Sequence, residues 1–336
     1  MGSLEHSSII GIGLIGVGRH GIRYARHILH DIPTARLTAA CRQHPEQGLP
    51  LPGADGVTMY GDAASLIADP AVDVIVVVTP PLYSHDICLL AVRTGKPVLI
   101  EKPLATTAPD ALAMARQAEA AGVPLMTGQT LRFDATVDEM KAKRRLIGRS
   151  RQLRLASHIE IKGRAPDHAE GYGKRGALLE FGVHLLDLVR FLTGEEVREA
   201  RCTMDVIPSA APETVATVRL TTEGGTDCAI DVRRVSSGRV GTAVWTGSNG
   251  ELAADWIAQE LSWTGLDRQT DQWTFAPRPT VLATLTSFLD AVRAQRPMPI
   301  TGWDGFRAVE TAEACYRSAQ AGGKPVTLPL EKRTSG

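Results

Sequence analysis

Several features that mark whole classes of function are missing from this chain. Lysine plus arginine and aspartate plus glutamate both number 37, so no basic excess is available to neutralise nucleic-acid phosphates or an anionic membrane. A small-molecule partner is therefore expected. The five cysteines, Cys41, Cys88, Cys202, Cys228 and Cys315, are scattered and form no C-x-x-C pair. They read as core or half-buried thiols of a reducing compartment, with little support for a zinc site. No apolar run reaches the roughly 20 residues of a membrane span, and the N-terminus lacks a charged stretch followed by a long apolar core. A cytoplasmic protein is expected. There is no internal repeat and no low-complexity tract. What remains is a length of 336 residues and 43% hydrophobic content, which suit about two domains with sizeable cores.

Residues 1–8 are polar, and residues 9–15 alternate isoleucine and leucine with glycine as a first strand would. That strand runs into Gly16-Val17-Gly18-Arg19-His20-Gly21, followed by a predicted helix over 22–29. G-x-G-x-x-G between a strand and a helix points to dinucleotide binding, against the alternative of a plain structural turn. Gly16 would permit the tight turn, Gly18 would let the backbone approach a pyrophosphate, and Gly21 would let helix and strand pack closely. Free N–H groups at the helix start would face the phosphates. A second strand is predicted over 37–41. About 20 residues beyond the glycines, a site for the non-phosphorylated cofactor carries an acidic residue on the ribose hydroxyls. Here Arg42, Gln43 and His44 stand in that region. An arginine suits a 2′-phosphate, so NADP(H) is expected ahead of NAD, with Arg42 and Arg19 supplying charge. The alternative is a solvated Arg42.

A loop and short helix over 55–71 lead to the β-branched run 72–78, typical of a central parallel strand covered on both faces. Thr79-Pro80-Pro81 follows, and then a helix over 86–94 stopped by Gly95. Residues 98–100 form another buried strand, 108–121 a helix and 123–127 a further strand. The fold class is thus α/β, a doubly wound parallel sheet over residues 1–128. Lys102 stands at the end of the 98–100 strand, where open parallel sheets bind ligands, and Pro103 biases it away from helical angles. It is either a catalytic side chain or an ordinary surface lysine after a strand.

From residue 129 the pattern changes. A crossover over 129–133, a helix over 137–146 and a strand over 151–161 precede the stretch 165–175, whose Gly, Pro, Asp and His content suggests a mobile loop near a site. Strand-like runs at 200–206, 214–220, 227–235, 240–246 and 251–255 predict a largely antiparallel sheet. Helices over 280–294 and 305–321 and an extended segment at 325–330 complete a second, α+β domain over 129–336. Within it, residues 177–192 predict one helix whose ionisable groups, Arg190 apart, are Glu180, His184 and Asp187. Steps of four and three put those three on one helical face. A narrow polar row among leucines must find partners or line a cavity, because an unpaired buried charge is costly. Histidine is the group best suited to exchange a proton near neutral pH, although a lone buried histidine is often a satisfied core residue. If His184 approaches Lys102 across the domain junction, the pair matches what alcohol oxidation requires.

These motifs together, Gly16–Gly21, Thr79-Pro80-Pro81 with His85, Glu101-Lys102-Pro103, Leu131-Arg132-Phe133, and Gly182-Val183-His184 with Asp187, resemble the Gfo/Idh/MocA family. The resemblance covers nearly the whole chain. It implies an N-terminal Rossmann domain, a C-terminal domain whose large open sheet mediates contacts in a homodimer or homotetramer, and NAD(P)-dependent oxidation of sugars or cyclitols. It implies that Lys102 is the catalytic lysine, that His184 transfers the proton, and that Glu180 stands where many members carry a substrate-binding aspartate. Asp187 would orient its partners or touch a substrate hydroxyl. Gly16, Gly18, Arg19, His20, Gly21, Arg42, Thr79, Pro80, His85, Glu101 and Lys102 are the expected cofactor contacts. Arg132, His158 and Tyr172, with Glu180 and Asp187, are the expected substrate contacts; His168, Trp245 and Trp303 are weaker candidates. No metal is expected. Two alternatives come with the resemblance: a glycosidase that uses tightly held NAD without net redox, and a ligand-gated regulator that lacks catalysis.

Overall fold

The computed structural model describes residues 9–160, 168–205 and 212–330. The first strand, β1 (Ile10–Ile15), is buried throughout and pairs in parallel with β2 (Ala35–Cys41) and β4 (Val74–Val77). With β3 (Thr58–Tyr60), β5 (Val98–Glu101) and β6 (Leu125–Gly128) it forms a six-stranded parallel sheet in the order β3-β2-β1-β4-β5-β6. The order reverses between β1 and β4, and the carboxyl ends of those strands open the crevice in which such sheets bind dinucleotides. Helices α1 (Gly21–His30), α2 (Ala63–Ala68), α3 (Ser84–Arg93) and α4 (Ala108–Ala121) connect the strands. Local chemistry explains their starts: Asp62 accepts from the Ser65 N–H before α2, and Thr107 accepts from the Asp110 N–H before α4. The short strand β3 lies inside the stretch 55–71 read as loop and helix; three residues with little burial leave no periodicity to detect.

The chain divides into two compact units, the first comprising residues up to Thr130 together with Pro279–Phe306, the second Leu131–Arg278 with the residues from Arg307 onwards. A single cut after residue 128 therefore misses the return of the chain. Helix α8, Thr280–Arg293 in the structure, packs against α1, and Thr127 donates its N–H to the Ile300 carbonyl.

The second unit is built on a nine-stranded sheet. Its strands are β7 (Ser150–Glu160), β8 (Val197–Met204), β9 (Val215–Thr222), β10 (Asp227–Val235), β11 (Val240–Gly247), β12 (Gly250–Asp255), β13 (Glu260–Gly265), β14 (Thr270–Thr274) and β15 (Val326–Thr327). They lie in the order β14-β13-β12-β11-β7-β10-β9-β8-β15. The pairing is antiparallel except for β7 with β10, because β7 enters between β10 and β11 and no hairpin joins it to either neighbour. The distal hairpin β13–β14 was not anticipated; its residues are largely half-exposed or exposed, so the alternation that betrays a strand is weak there. Residue 161 of the predicted 151–161 strand and residue 206 of the 200–206 strand lie outside the described residues. So do residues 165–167 of the 165–175 stretch and the side chain of His168. The rest of that stretch contains a short helical turn, α6 (His168–Gly171).

Against one face of this sheet pack α5 (Ala135–Ala142) and α7 (Val183–Thr193). Leu185, Leu186, Leu188, Val189 and Leu192 of α7 are fully buried in a core shared with Leu153, Leu155, Ile230 and Val232 of the sheet. Each such side chain is worth about 1.5–3 kcal/mol of burial. The last long helix, α9 (Gly302–Gln320), adds Ala312, Ala314 and Cys315 to the same core. All five cysteines are free and buried. Among the described residues no helix is long and apolar enough to cross a membrane.

The predicted helix over 177–192 proves to be two structures. Leu178–Gly182 is a wide π-helical turn that runs directly into α7. The step from Glu180 to His184 crosses this change of pitch, so the even polar row expected of one α-helix does not form. Such turns cluster at functional sites.

Candidate active site

In the first unit, the expected cofactor residues other than Arg42 lie at or after the carboxyl ends of β1, β4 and β5. Gly16 has φ +96, and a Cβ there would lie 2.7 Å from the Val78 carbonyl. A Cβ on Gly21 would lie 1.9 Å from the Gly16 carbonyl oxygen. Gly18 is different, since a Cβ there would meet nothing within 4 Å. Two of the glycines are thus demanded by the protein's own packing, and the third borders open space. Thr79, just past β4, carries a buried hydroxyl that has no hydrogen-bond partner among the described residues. A glycine turn at a helix start, open space above Gly18 and a waiting hydroxyl fit a dinucleotide's pyrophosphate. Arg19 is exposed in the same turn, Pro80 begins a turn whose Tyr83 N–H it accepts at 3.0 Å, and His85 bonds the Asp86 carboxylate at 2.8 Å.

Glu101, the last residue of β5, is held from three sides. His20 Nε2 lies 2.8 Å from its Oε1, the Tyr24 hydroxyl donates to the same oxygen, and the Lys102 backbone N–H donates to Oε2 at 3.0 Å. Burial alone would raise the Glu101 carboxyl; the hydrogen bond and charge of His20, the charge of Lys102 and the Tyr24 hydroxyl outweigh it and hold the group down at about 2. The carboxylate stays ionised and fixes the backbone from which Lys102 projects. Tyr24 was missed in the sequence. It is fully buried on α1, and burial together with the Glu101 charge raises its hydroxyl well above the ordinary tyrosine value. A phenol three residues into a helix that otherwise turns apolar groups inward was the available signal.

Arg42 follows β2 directly. Its Nη1 donates to the Gly48 carbonyl at 3.0 Å and its Nη2 to Gln47 Oε1 at 2.6 Å, so the guanidinium is braced by its own loop. Gln129, one residue past β6, is also absent from the expected site. Both of its amide atoms are buried without a hydrogen-bond partner among the described residues. Leaving a buried amide group unmet costs about 1–3 kcal/mol, which marks it as awaiting a ligand's polar groups. Its strand residue Gly128 is the register partner of Glu101.

In the second unit, Glu180 is ion-paired with Arg234 of β10, whose guanidinium also lies 5.1 Å from the Phe181 ring centre. Asp187 receives two bonds from Arg132, Nε to Oδ2 at 2.6 Å and Nη2 to Oδ1 at 2.5 Å, and both side chains are buried. His184, between these two pairs, is only partly buried. Four expected site residues, Glu180, His184, Asp187 and Arg132, are therefore brought together along the π turn and α7. His158 is not among them: it lies in register with Arg233, on the sheet face opposite α7, and bonds Asp231 at 2.8 Å. The alternation of β7, unreadable without knowing which face the helices cover, decides this. Trp245 is a core residue, donating to Ser150 Oγ at 2.9 Å. Tyr172 is half-buried and accepts from the Arg175 N–H at 3.2 Å, and Trp303 opens α9 edge-on to Phe306.

Comparison with known proteins bears directly on this arrangement. Residues 10–129 match the family model described as "Oxidoreductase family, NAD-binding Rossmann fold", and residues 142–253 match the "GFO/IDH/MocA C-terminal domain". The chain belongs to the Gfo/Idh/MocA family. It is similar to a D-apiose dehydrogenase of Rhizobium rhizogenes, 28% identical with 96% of each chain covered. It is also similar to inositol 2-dehydrogenase 2 of Saccharopolyspora erythraea, 29% identical with 96% of each covered. Among solved structures, an oxidoreductase from Agrobacterium radiobacter in complex with NAD+, L-tartaric acid and magnesium is 25% identical with a TM-score of 0.83, covering 95% of this chain and 98% of that one. This member of the Gfo/Idh/MocA family is thus an NAD(P)-dependent oxidoreductase with a Rossmann domain, as the resemblance in its motifs implied.

Proposed function

We propose that the enzyme transfers a hydride between the nicotinamide cofactor and a ring carbon of a sugar or cyclitol, with Lys102 and His184 handling the proton of the hydroxyl. The observation that carries this reading is the tether on Lys102: a buried, ionised Glu101 grips its backbone at the carboxyl end of β5. The dehydrogenases of apiose and inositol among its relatives support the substrate class. The cofactor is held by Gly16, Gly18, Arg19, His20, Gly21, Thr79, Pro80 and His85, and a bound nicotinamide supplies the hydride acceptor or donor at its C4. His184 accepts the hydroxyl proton during oxidation. Lys102 donates a hydrogen bond to the same oxygen and stabilises the negative charge that develops there, and Gln129 satisfies its amide on substrate or cofactor polar groups. In the reverse direction His184 returns the proton and a keto-sugar is reduced. Glu180, oriented by Arg234, contacts a substrate hydroxyl, whereas Asp187 fixes α7 through Arg132. The braced guanidinium of Arg42 favours NADP(H) over NAD. The exposed sheet face opposite α7 forms the contact of a homodimer or homotetramer.

The test is a spectrophotometric screen of polyols and keto-sugars with both cofactors, followed by Lys102→Ala and His184→Ala. Each substitution is expected to lower kcat at least about a hundredfold while the cofactor Kd, read by fluorescence, changes little. Near-normal turnover of either variant would remove that residue from the chemistry.

A further inference from the structure

The π turn that precedes α7 is held at its start by groups outside the residues assigned so far. Glu213, just before β9, sends its carboxylate back to this segment: Oε2 accepts the Gly176 N–H at 2.8 Å and Oε1 the Leu178 N–H at 3.1 Å. Its backbone carbonyl accepts the Ala177 N–H at 2.9 Å. These successive donors open a helix and have no partner within it, so an anionic acceptor placed there both satisfies them and opposes the helix dipole. The approach is close enough to dictate sequence. A Cβ on Gly176 would lie 2.1 Å from the Glu213 carbonyl oxygen.

Glu213 is itself held by α9. The Tyr316 hydroxyl donates to its Oε1 at 2.7 Å. Arg175 stacks 4.4 Å from the centre of the Tyr316 ring and pairs with Glu313 at 2.6 Å, so the residue leading into the turn is fixed to the same helix. The next residue along from Glu213 anchors the other side of the site, since the Thr214 carbonyl accepts the N–H of Arg234, the partner of Glu180. Burial pushes the Glu213 carboxyl up, against the hydrogen bonds of Tyr316, Leu178 and Gly176.

We propose that Glu213 and Tyr316 form a clamp that sets the position of Glu180 and His184, which makes both of them positioning residues for proton transfer. This inference rests on His184 as the proton acceptor. Glu213 reaches the start of the turn and Tyr316 locks Glu213, so loss of the phenol's hydrogen bond lets the turn relax and displaces the imidazole without removing it. A misplacement of about 1 Å costs up to about a hundredfold in rate.

The experiment is a double-mutant cycle on the full chain. Tyr316→Phe keeps the ring against Arg175 and is expected to lower kcat about 10- to 100-fold, with the cofactor Kd unchanged and the substrate KM moved less than threefold or so. Glu213→Gln, whose amide N–H would face the Gly176 N–H, should do the same. In a His184→Ala background, Tyr316→Phe should add less than about twofold, because a positioning residue has nothing left to position. Additive losses, or a Tyr316→Phe enzyme with full kcat, would overturn the clamp. A His184→Ala enzyme with full kcat would instead overturn the role of His184, and the two failures are told apart by that single variant.

Discussion

The ion pair between Arg132 and Asp187 offers a measurement that separates holding α7 from touching substrate. Its side chains are 9% and 1% exposed, and its two bonds, at 2.6 and 2.5 Å, join both carboxylate oxygens to the Nε–Nη2 edge of the guanidinium. Two unit charges about 4 Å apart attract by about 4 kcal/mol at an effective dielectric of about 20. Removing one partner is worse than losing that attraction, since the other charge stays buried without compensation; the usual loss is about 3–5 kcal/mol. Asp187→Leu and Arg132→Met should therefore each lower the Tm of their unit by roughly 6–20 °C, taking about 2–4 °C per kcal/mol for a cooperative unit of about 150–250 residues. The double variant buries no charge there and fills similar volume, so it should be more stable than either single one, with a coupling of at least about 3 kcal/mol. Thermal unfolding of the four proteins, followed by circular dichroism, gives the cycle. Simple addition of the two losses in the double variant would refute the pairing argument. A double variant that is stable yet loses kcat/KM by more than about a hundredfold would show that the pair works on substrate after all.

Other consequences are open to direct tests. A comparison of kcat/KM with the two cofactors should favour NADP(H), and Arg42→Asp should move the preference toward NAD by at least about tenfold; a strong wild-type preference for NAD would end that reading. Gly18→Ala should fold with a Tm within a degree or two of wild type yet bind cofactor poorly, because its Cβ would point into open space, whereas Gly21→Ala should fail to accumulate as folded protein. Equal stability of the two would contradict the packing described. Glu101 is held near 2 in the folded protein, below the ordinary carboxylate value of 4.5, so the stability it contributes is present above about 4.5 and disappears as pH falls toward 2. Tyr24→Phe removes one of the donors that depress it, and acid unfolding should then begin at a higher pH; an unchanged acid midpoint would rule the Tyr24 bond out as a cause.

How much of this was legible in the sequence depends on whether a signal was local. The Rossmann half announced itself because each of its parts is contiguous: a glycine turn between a strand and a helix, a β-branched run for a central strand, a lysine one residue past another strand. The second unit gave less. Its strands were visible as alternation, yet alternation does not say which face the helices cover, and so His158 entered the expected site although the structure puts it on the far side of the sheet. The polar row at Glu180, His184 and Asp187 was visible as chemistry and misjudged as geometry, because a π turn leaves no periodic trace over five residues. What holds that row was legible only in part: Arg132 was expected at the substrate, not as the partner of Asp187. Arg132, Arg234 and Glu213 reach the row from segments distant in the chain, and Arg234 and Glu213 taken alone are ordinary charged residues. A polar group placed in an apolar helix has to be met by something, and the meeting partners come from whichever strand or loop the topology delivers. The catalytic candidates are therefore the part of such a site that sequence reveals first, and the residues that aim them are the part that only the packed structure supplies. By the same reasoning, substitutions at Glu213 or Arg234 should alter turnover in a protein whose obvious motifs are untouched.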